Sequence, residues 1–259
     1  MSIKAYTLGS LIVCAAAVAA YGQAATDAGA PTQPPKLWDA SAAVGLTLTK
    51  GNSDTLTVNG NVQASRKWAQ NELNLGADLT YGENTVYDKA SGQNITSQTA
   101  NNYGGYAQYN RLFTERLFGF ARAQGLHDGL ADLDYRITLS AGAGYYLLKS
   151  TNTSLRLEAG PGVVFQKQAG VDDTYMTLRF AERWDEKLND HVKIWQTLEY
   201  LPDVQDWGRY VVNFEIGVET AIIKHLSQRT YFQDSYSSEP APGRKQNDMK
   251  LVAALAYKF

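Results

Sequence analysis

Few side chains in this sequence have the chemistry of a nucleophile or a metal ligand: three histidines, His127, His191 and His225, and a single cysteine, Cys14. Hydrolysis by a Ser and His pair needs the imidazole oriented by a carboxylate or amide and placed beside the hydroxyl. His191 and His225 stand far apart in the chain, and only Ser227 lies near the second. His127 adjoins Asp128, but its nearest serine on a neighbouring segment, Ser140, sits deeper and has inward parity. No HExxH, Walker A, dinucleotide or zinc spacing occurs. The reading is therefore of a chain with no catalytic residues, no metal ligands and no cofactor, and not of an enzyme.

Charged residues are more plentiful and nearly balanced, with 24 Lys and Arg against 26 Asp and Glu; they make up 19% of the chain against 44% hydrophobic residues. That balance excludes a disordered acidic chain and a basic nucleic-acid binder, so no nucleic acid is expected as partner. With Tyr 16, Phe 8, Trp 5 and Gly 22, the composition favours strands and turns.

An apolar run from Ala5 to Ala20 follows the lone charge of Lys4, with small-residue cleavage options after Ala20 or Ala25. Residues 1–23 read as a signal peptide, too short and wrongly flanked for a spanning helix. Cys14 lies within the run behind Val13, which argues against lipidation and leaves the exported chain without cysteine. Residues 24–37, rich in Pro, Ala and Gln, read as a flexible leader, and residues 38–259 as one domain.

The charges are positioned by a period-2 alternation that recurs through the domain. In the last segment Met249, Leu251, Ala253, Leu255, Tyr257 and Phe259 share one face, and Lys250, Val252, Ala254, Ala256 and Lys258 the other. Such segments fall at 41–50, 55–67, 71–82, 102–112, 116–127, 134–148, 153–167, 173–186, 191–201, 208–222, 226–236 and 247–259. Connections after the even-numbered segments are tight. The longest of the others is Glu83 to Asn101. Strands of this length, tilted, cross a bilayer, and closing them into a ring pairs every backbone group. The expected fold is all-β, a twelve-stranded antiparallel transmembrane β-barrel with short periplasmic turns. Aromatic girdles are expected at Trp68, Trp184, Tyr257 and Phe259 on the short-turn end, and at Tyr81, Tyr103, Trp207, Tyr210 and Tyr236 on the other.

By parity the lumen receives Arg66, Glu72, Asp78, Arg136, Arg156, Glu158, Arg179, Arg183, Lys193, Glu199, Glu215, Glu219, Arg229 and Lys250. Mixed signs on neighbouring strands make either a wet passage or a self-paired plug. The stretch from strand seven to strand eleven, holding Arg156, Glu158, Arg179, Arg183, Lys193, Glu199, Glu215, Glu219 and Arg229, is the candidate network. Arg122 shares parity with Phe118 and Phe120, which calls for a bulge or for rings inside the lumen, and Pro161 within strand seven calls for a bulge or kink. The outer loops lean acidic, through Asp54, Asp88, Asp132, Asp173, Asp203, Glu239 and others, and divalent cations are a possible partner there.

Three stretches carry a family resemblance: Val44 to Thr55, Leu155 to Gly162, and Ser238 to Gly243, together with the closing Ala256, Tyr257, Lys258 and Phe259. They resemble the salt-induced outer membrane proteins of Gram-negative bacteria, a domain of unknown function. The resemblance covers about residues 40–259. It implies the cell outer membrane, with its lipid and lipopolysaccharide, as location. It also implies Tyr257 and Phe259 as an assembly signal read by the barrel-assembly machinery, and it carries no catalytic residues. Phe259 is expected to close the ring near Ala43 and Val44. The activity expected is that of a structural or envelope-stress-related barrel with a largely occluded, charge-filled lumen, or else of a narrow passive channel for small solutes or ions.

Overall fold

Backbone amides surrounded by hydrocarbon must be paired within the chain, and this sequence meets the demand by closing a sheet on itself. The computed structural model describes residues 38–49, 53–88 and 91–259; the signal segment 1–23 and the leader 24–37 lie outside the described residues. Twelve strands follow one another: β1 (Asp39–Thr49), β2 (Ser53–Trp68), β3 (Asn71–Asp88), β4 (Gln93–Leu112), β5 (Leu117–Asp128), β6 (Leu133–Lys149), β7 (Thr153–Gln168), β8 (Val171–Lys187), β9 (Val192–Pro202), β10 (Tyr210–Ile223), β11 (Leu226–Ser237) and β12 (Asn247–Lys258). Each pairs antiparallel with its sequence neighbours, and β12 returns to β1, so no edge is left.

Alternation sorts the side chains as the sequence implied. On β12, Met249, Leu251, Leu255 and Tyr257 are exposed on the outer wall, while Val252, Ala254 and Ala256 are buried inside. With Ala43 they form a small-residue patch on the inner wall, against which Tyr231 packs. Tyr200, Tyr210 and Tyr236 form a ring chain with centroids 5.6 Å apart at the long-loop end. Tyr257 and Phe259 make an edge contact at 5.3 Å at the other end.

Three expectations need correction, and two alternatives left open by the sequence are narrowed. The stretch from Glu83 to Asn101 is not a loop: β3 and β4 run through it as a hairpin, in register from Asp88↔Gln93 down to Asn71↔Arg111 with one irregularity at Gly82/Glu83. Threonines at the projecting end pair across it, Thr85 Oγ1 lying 2.8 Å from Thr96 Oγ1. Arg66 faces out, not in. It pairs with Leu73 on β3 and lies over the rings of Trp38 and Trp68, at 5.7 and 5.5 Å, where cation–π contact shelters its charge at the membrane boundary.

Pro161 makes no bulge. The β7–β8 register runs unbroken through Pro161↔Leu178, and on the β6 side the register before and after it is the same. Pro161 is exposed on the outer wall, and the ladder bond it lacks falls where Gly142 and Gly160 bring β6 and β7 unusually close. Phe118 and Phe120 are accommodated in the lumen without a bulge beside them: both are buried, and Phe118 packs on Tyr146. Finally, the ring closes three to four residues away from the expected place. Phe259 N–H donates to the carbonyl of Ala40 at 3.0 Å, and Val44 pairs instead with Leu255.

Candidate functional site

Charged side chains on a luminal face can be satisfied only by one another, by amides or by water, and here they are satisfied mostly by one another. Arg179 on β8 is the hub. Its Nη1 donates to Glu158 Oε2 on β7 at 2.7 Å, and its Nε donates to Glu199 Oε1 on β9 at 2.6 Å. The other oxygen of Glu158 accepts from Gln108 Nε2 on β4 at 2.9 Å and has Arg156 Nε 3.2 Å away in ion contact. Glu199 Oε2 accepts from Asn213 on β10. Gln108 Oε1 accepts from Arg122, whose guanidinium lies 4.1 Å from the centre of the Tyr106 ring. The chain of bonds continues through Asn110 to Glu72 on β3, which Tyr146 on β6 also reaches with its hydroxyl.

This belt crosses the bore. Gln108–Glu158 joins β4 to β7, Glu72–Tyr146 joins β3 to β6, and Lys250 Nζ donates to Thr80 Oγ1 from β12 to β3. Glu158 and Arg179 are only 5% and 4% exposed, so the belt is as dry as a protein core. Phe118, Phe120 and Tyr146 fill the wall beside it, with Arg179 lying 5.3 Å over the Phe120 ring.

Nearer the short-turn end the pairing splits into separate clusters. Arg183 forks onto Asp185 at 2.7 and 3.0 Å, and Lys193 joins the same carboxylate at 2.9 Å. Glu219 accepts from Arg229 at 2.6 Å and from Ser227, and also contacts Lys258; Arg229 then donates to Ser41 on β1. Glu215 stands apart from the arginines, bonded to the Trp195 indole N–H at 2.5 Å and to the amide of Gln233. Between these clusters lies a polar cavity of about 60 Å³ lined by Asn61, Gln63, Arg183, Glu215 and Tyr231, among others. It is of a size to hold a few waters. The bigger concavity, about 590 Å³, is an apolar depression on the outer wall at Ala107, Ala121, Ala141 and Pro161, away from the polar lumen.

Of the nine residues expected to form one network, four meet directly: Arg156, Glu158, Arg179 and Glu199. Arg183 and Lys193 meet through Asp185, Glu219 pairs with Arg229, and Glu215 finds neutral partners. The uncharged members, Gln108, Asn110, Tyr146 and Trp195, escaped the sequence reading. Inward parity with Tyr106 on β4 was the signal that could have found Gln108 and Asn110.

At the long-loop mouth Arg209 sits among carboxylates, reaching Asp173, Asp203 and Glu239 while lying over the Tyr175 ring. Arg244 binds Asp132, and that hydrogen bond holds the Asp132 carboxyl below its usual range. Much of the acidity of the outer loops is thus met by arginine. Two of the three histidines are equally committed: His127 Nδ1 is 2.8 Å from the Asp134 carbonyl with its ring stacked on Tyr103, and His225 Nδ1 is 3.2 Å from the Lys258 carbonyl.

A curated relative, the uncharacterized protein YdiY of Escherichia coli K12, is 26% identical over 80% of this chain and 81% of its own length. Among solved structures, the NanC porin has a TM-score of 0.50 at 6% identity, covering 85% of this chain and 98% of that one. The COG4313 outer membrane channel of Pseudomonas putida F1 has a TM-score of 0.48 at 9% identity, covering 88% and 100%. These likenesses are of fold, a membrane-embedded barrel of outer-membrane type. The description "Protein of unknown function, DUF481" matches residues 42–259, essentially the whole barrel, and the chain belongs to that family.

Proposed function

We propose that the protein is a closed barrel of the cell outer membrane, a structural element with no catalytic step, whose bore is sealed by its own side chains. The observation that supports this is the cross-lumen bonding: Gln108 to Glu158 and Glu72 to Tyr146 link strands that are not neighbours, so a permeating solute has to break buried, charge-assisted hydrogen bonds. In this orientation the short turns face the periplasm, and the β3–β4 hairpin projects outward beyond the lipopolysaccharide leaflet. Purified barrel in planar bilayers is expected to give no sustained conductance. Steady, ohmic steps from the wild-type protein would replace this reading with the second one, a narrow passive channel. That reading draws on the polar cavity between Arg183 and Glu215.

The terminal aromatics serve assembly in this reading. Tyr257 and Phe259 are 49% and 65% exposed on the outer wall and are free to be read before the ring closes. Deleting Phe259 is expected to lower the heat-modifiable fraction recovered in outer membranes several-fold. Wild-type recovery of the deletion would remove the role.

A further inference from the structure

The connection from β11 to β12, Ser238 to Gln246, does not stand away from the barrel. Ala241, near its middle, is 3% exposed, which a solvated surface loop does not show. Its base is sewn to the rim on its own side: Ser238 N–H donates to the Tyr210 carbonyl at 3.0 Å, Tyr210 N–H donates to Ser238 Oγ at 2.7 Å, and Ser237 N–H donates to the Gln246 carbonyl at 2.8 Å. Its tip is shaped in advance. Arg244 N–H donates to the Ala241 carbonyl at 2.9 Å across Pro242 and Gly243, and Gly243 has φ +79°, the geometry of a type II turn with proline and glycine in their preferred places.

That turn aims Arg244 at Asp132, whose Oδ2 accepts from Nε at 2.9 Å and lies 2.9 Å from Nη2 in ion contact. Asp132 belongs to the β5–β6 turn. In the ring order β5–β6 lies six strands from β11–β12, on the opposite side of the mouth. The receiving turn is itself anchored, because the Asp132 carbonyl accepts from Ala169 N–H of the β7–β8 turn at 2.8 Å. Glu239 faces Arg209 on the way across. We infer that Ser238–Gln246 is a latched lid spanning the long-loop mouth, held shut at its far end by the Arg244–Asp132 pair and opened when that pair is broken.

The latch is made to be reversible. Both side chains are more than two-fifths exposed, so the pair is the weak, screened kind, unlike the dry belt below. The lid covers the long-loop mouth, whether or not the bore beneath conducts, and its failure would leave the closed-barrel reading untouched.

Access from the outside tests it directly. Ser235, half-buried on the inner wall of β11 near the long-loop end, is replaced by cysteine, and the folded full-length barrel in liposomes is treated with a membrane-impermeant maleimide. Labelling of Ser235→Cys is expected to be slow. Adding Arg244→Glu, which sets like charges against each other at the latch, is expected to speed it several-fold, and the exchanged pair Asp132→Arg with Arg244→Asp is expected to restore the slow rate. Heat-modifiable mobility of each variant certifies that the barrel is folded. Equal labelling rates with and without Arg244→Glu in folded protein would overturn the lid, as would failure of the exchanged pair to restore protection.

Discussion

Arg179→Ala is expected to cost the folded barrel about 3–5 kcal/mol, the range for removing one member of a buried, hydrogen-bonded ion pair. The loss comes less from the missing attraction than from what stays behind. Glu158 would keep only Arg156 beside it and Glu199 only the less direct charge of Arg122, with amides completing the rest. Arg183→Ala is the internal comparison. Its pair with Asp185 is 31% and 23% exposed and Lys193 still serves the carboxylate, so its cost should be smaller, about 1.5–3 kcal/mol for the lost charged hydrogen bonds. Urea midpoints of both variants in the same lipid bilayer measure the contrast. Equal shifts would mean that the belt is wet and that the bore is open to water.

The second large effect lies where β6 and β7 touch. A Cβ on Gly160 would come 2.1 Å from the Ala141 carbonyl oxygen, and one on Gly142 would come 2.2 Å from the Ala159 carbonyl oxygen. Both obstacles are backbone, which cannot swing aside as a side chain does. Gly160→Ala must therefore push two strands apart next to Pro161, where a ladder bond is already missing, and about 3 kcal/mol of destabilisation is expected, the upper part of the overpacking range. Gly125→Ala meets nothing within 4 Å and should be close to neutral. Paired thermal melts of the two variants in detergent micelles test this, and a neutral Gly160→Ala would show that the close approach carries no weight.

The strands were legible because each side chain inside the membrane faces either hydrocarbon or the lumen, and that choice writes a period of two into β10 and β12. The projecting ends of β3 and β4 were not legible for the same reason. Above the membrane both faces of Thr85, Thr96 and their neighbours meet water, so no alternation remains and the segment reads as a loop. Arg66 was misplaced by weighing its charge over its parity, although Val62 and Ala64 on the same strand already assigned it to the outer wall. Which charges meet was the least accessible layer. Parity says that Glu158 and Gln108 both face inward, but only the stagger of strands around the ring, which no local pattern encodes, brings residues fifty positions apart to 2.9 Å. Glu215 shows the limit from the other side: its sign matched an arginine network, and its depth delivered an indole and an amide instead.

The junction of β1 with β12 is the shortest in the ring, with register partners running only from Ser41↔Lys258 to Val44↔Leu255, against eleven for β1 with β2. It also joins the two strands farthest apart in sequence, so its formation bears the greatest loop-closure entropy of any pairing in the molecule while returning the fewest bonds. Seen as a clock rather than a wall, the barrel has one rate-setting step. Its hairpins, being local, are expected to zip early, and completion and spontaneous opening are expected at this brief seam. The small residues on its inner face, Ala43, Ala254 and Ala256, suit that role, since they leave little side-chain bulk to interlock on the luminal side of the seam.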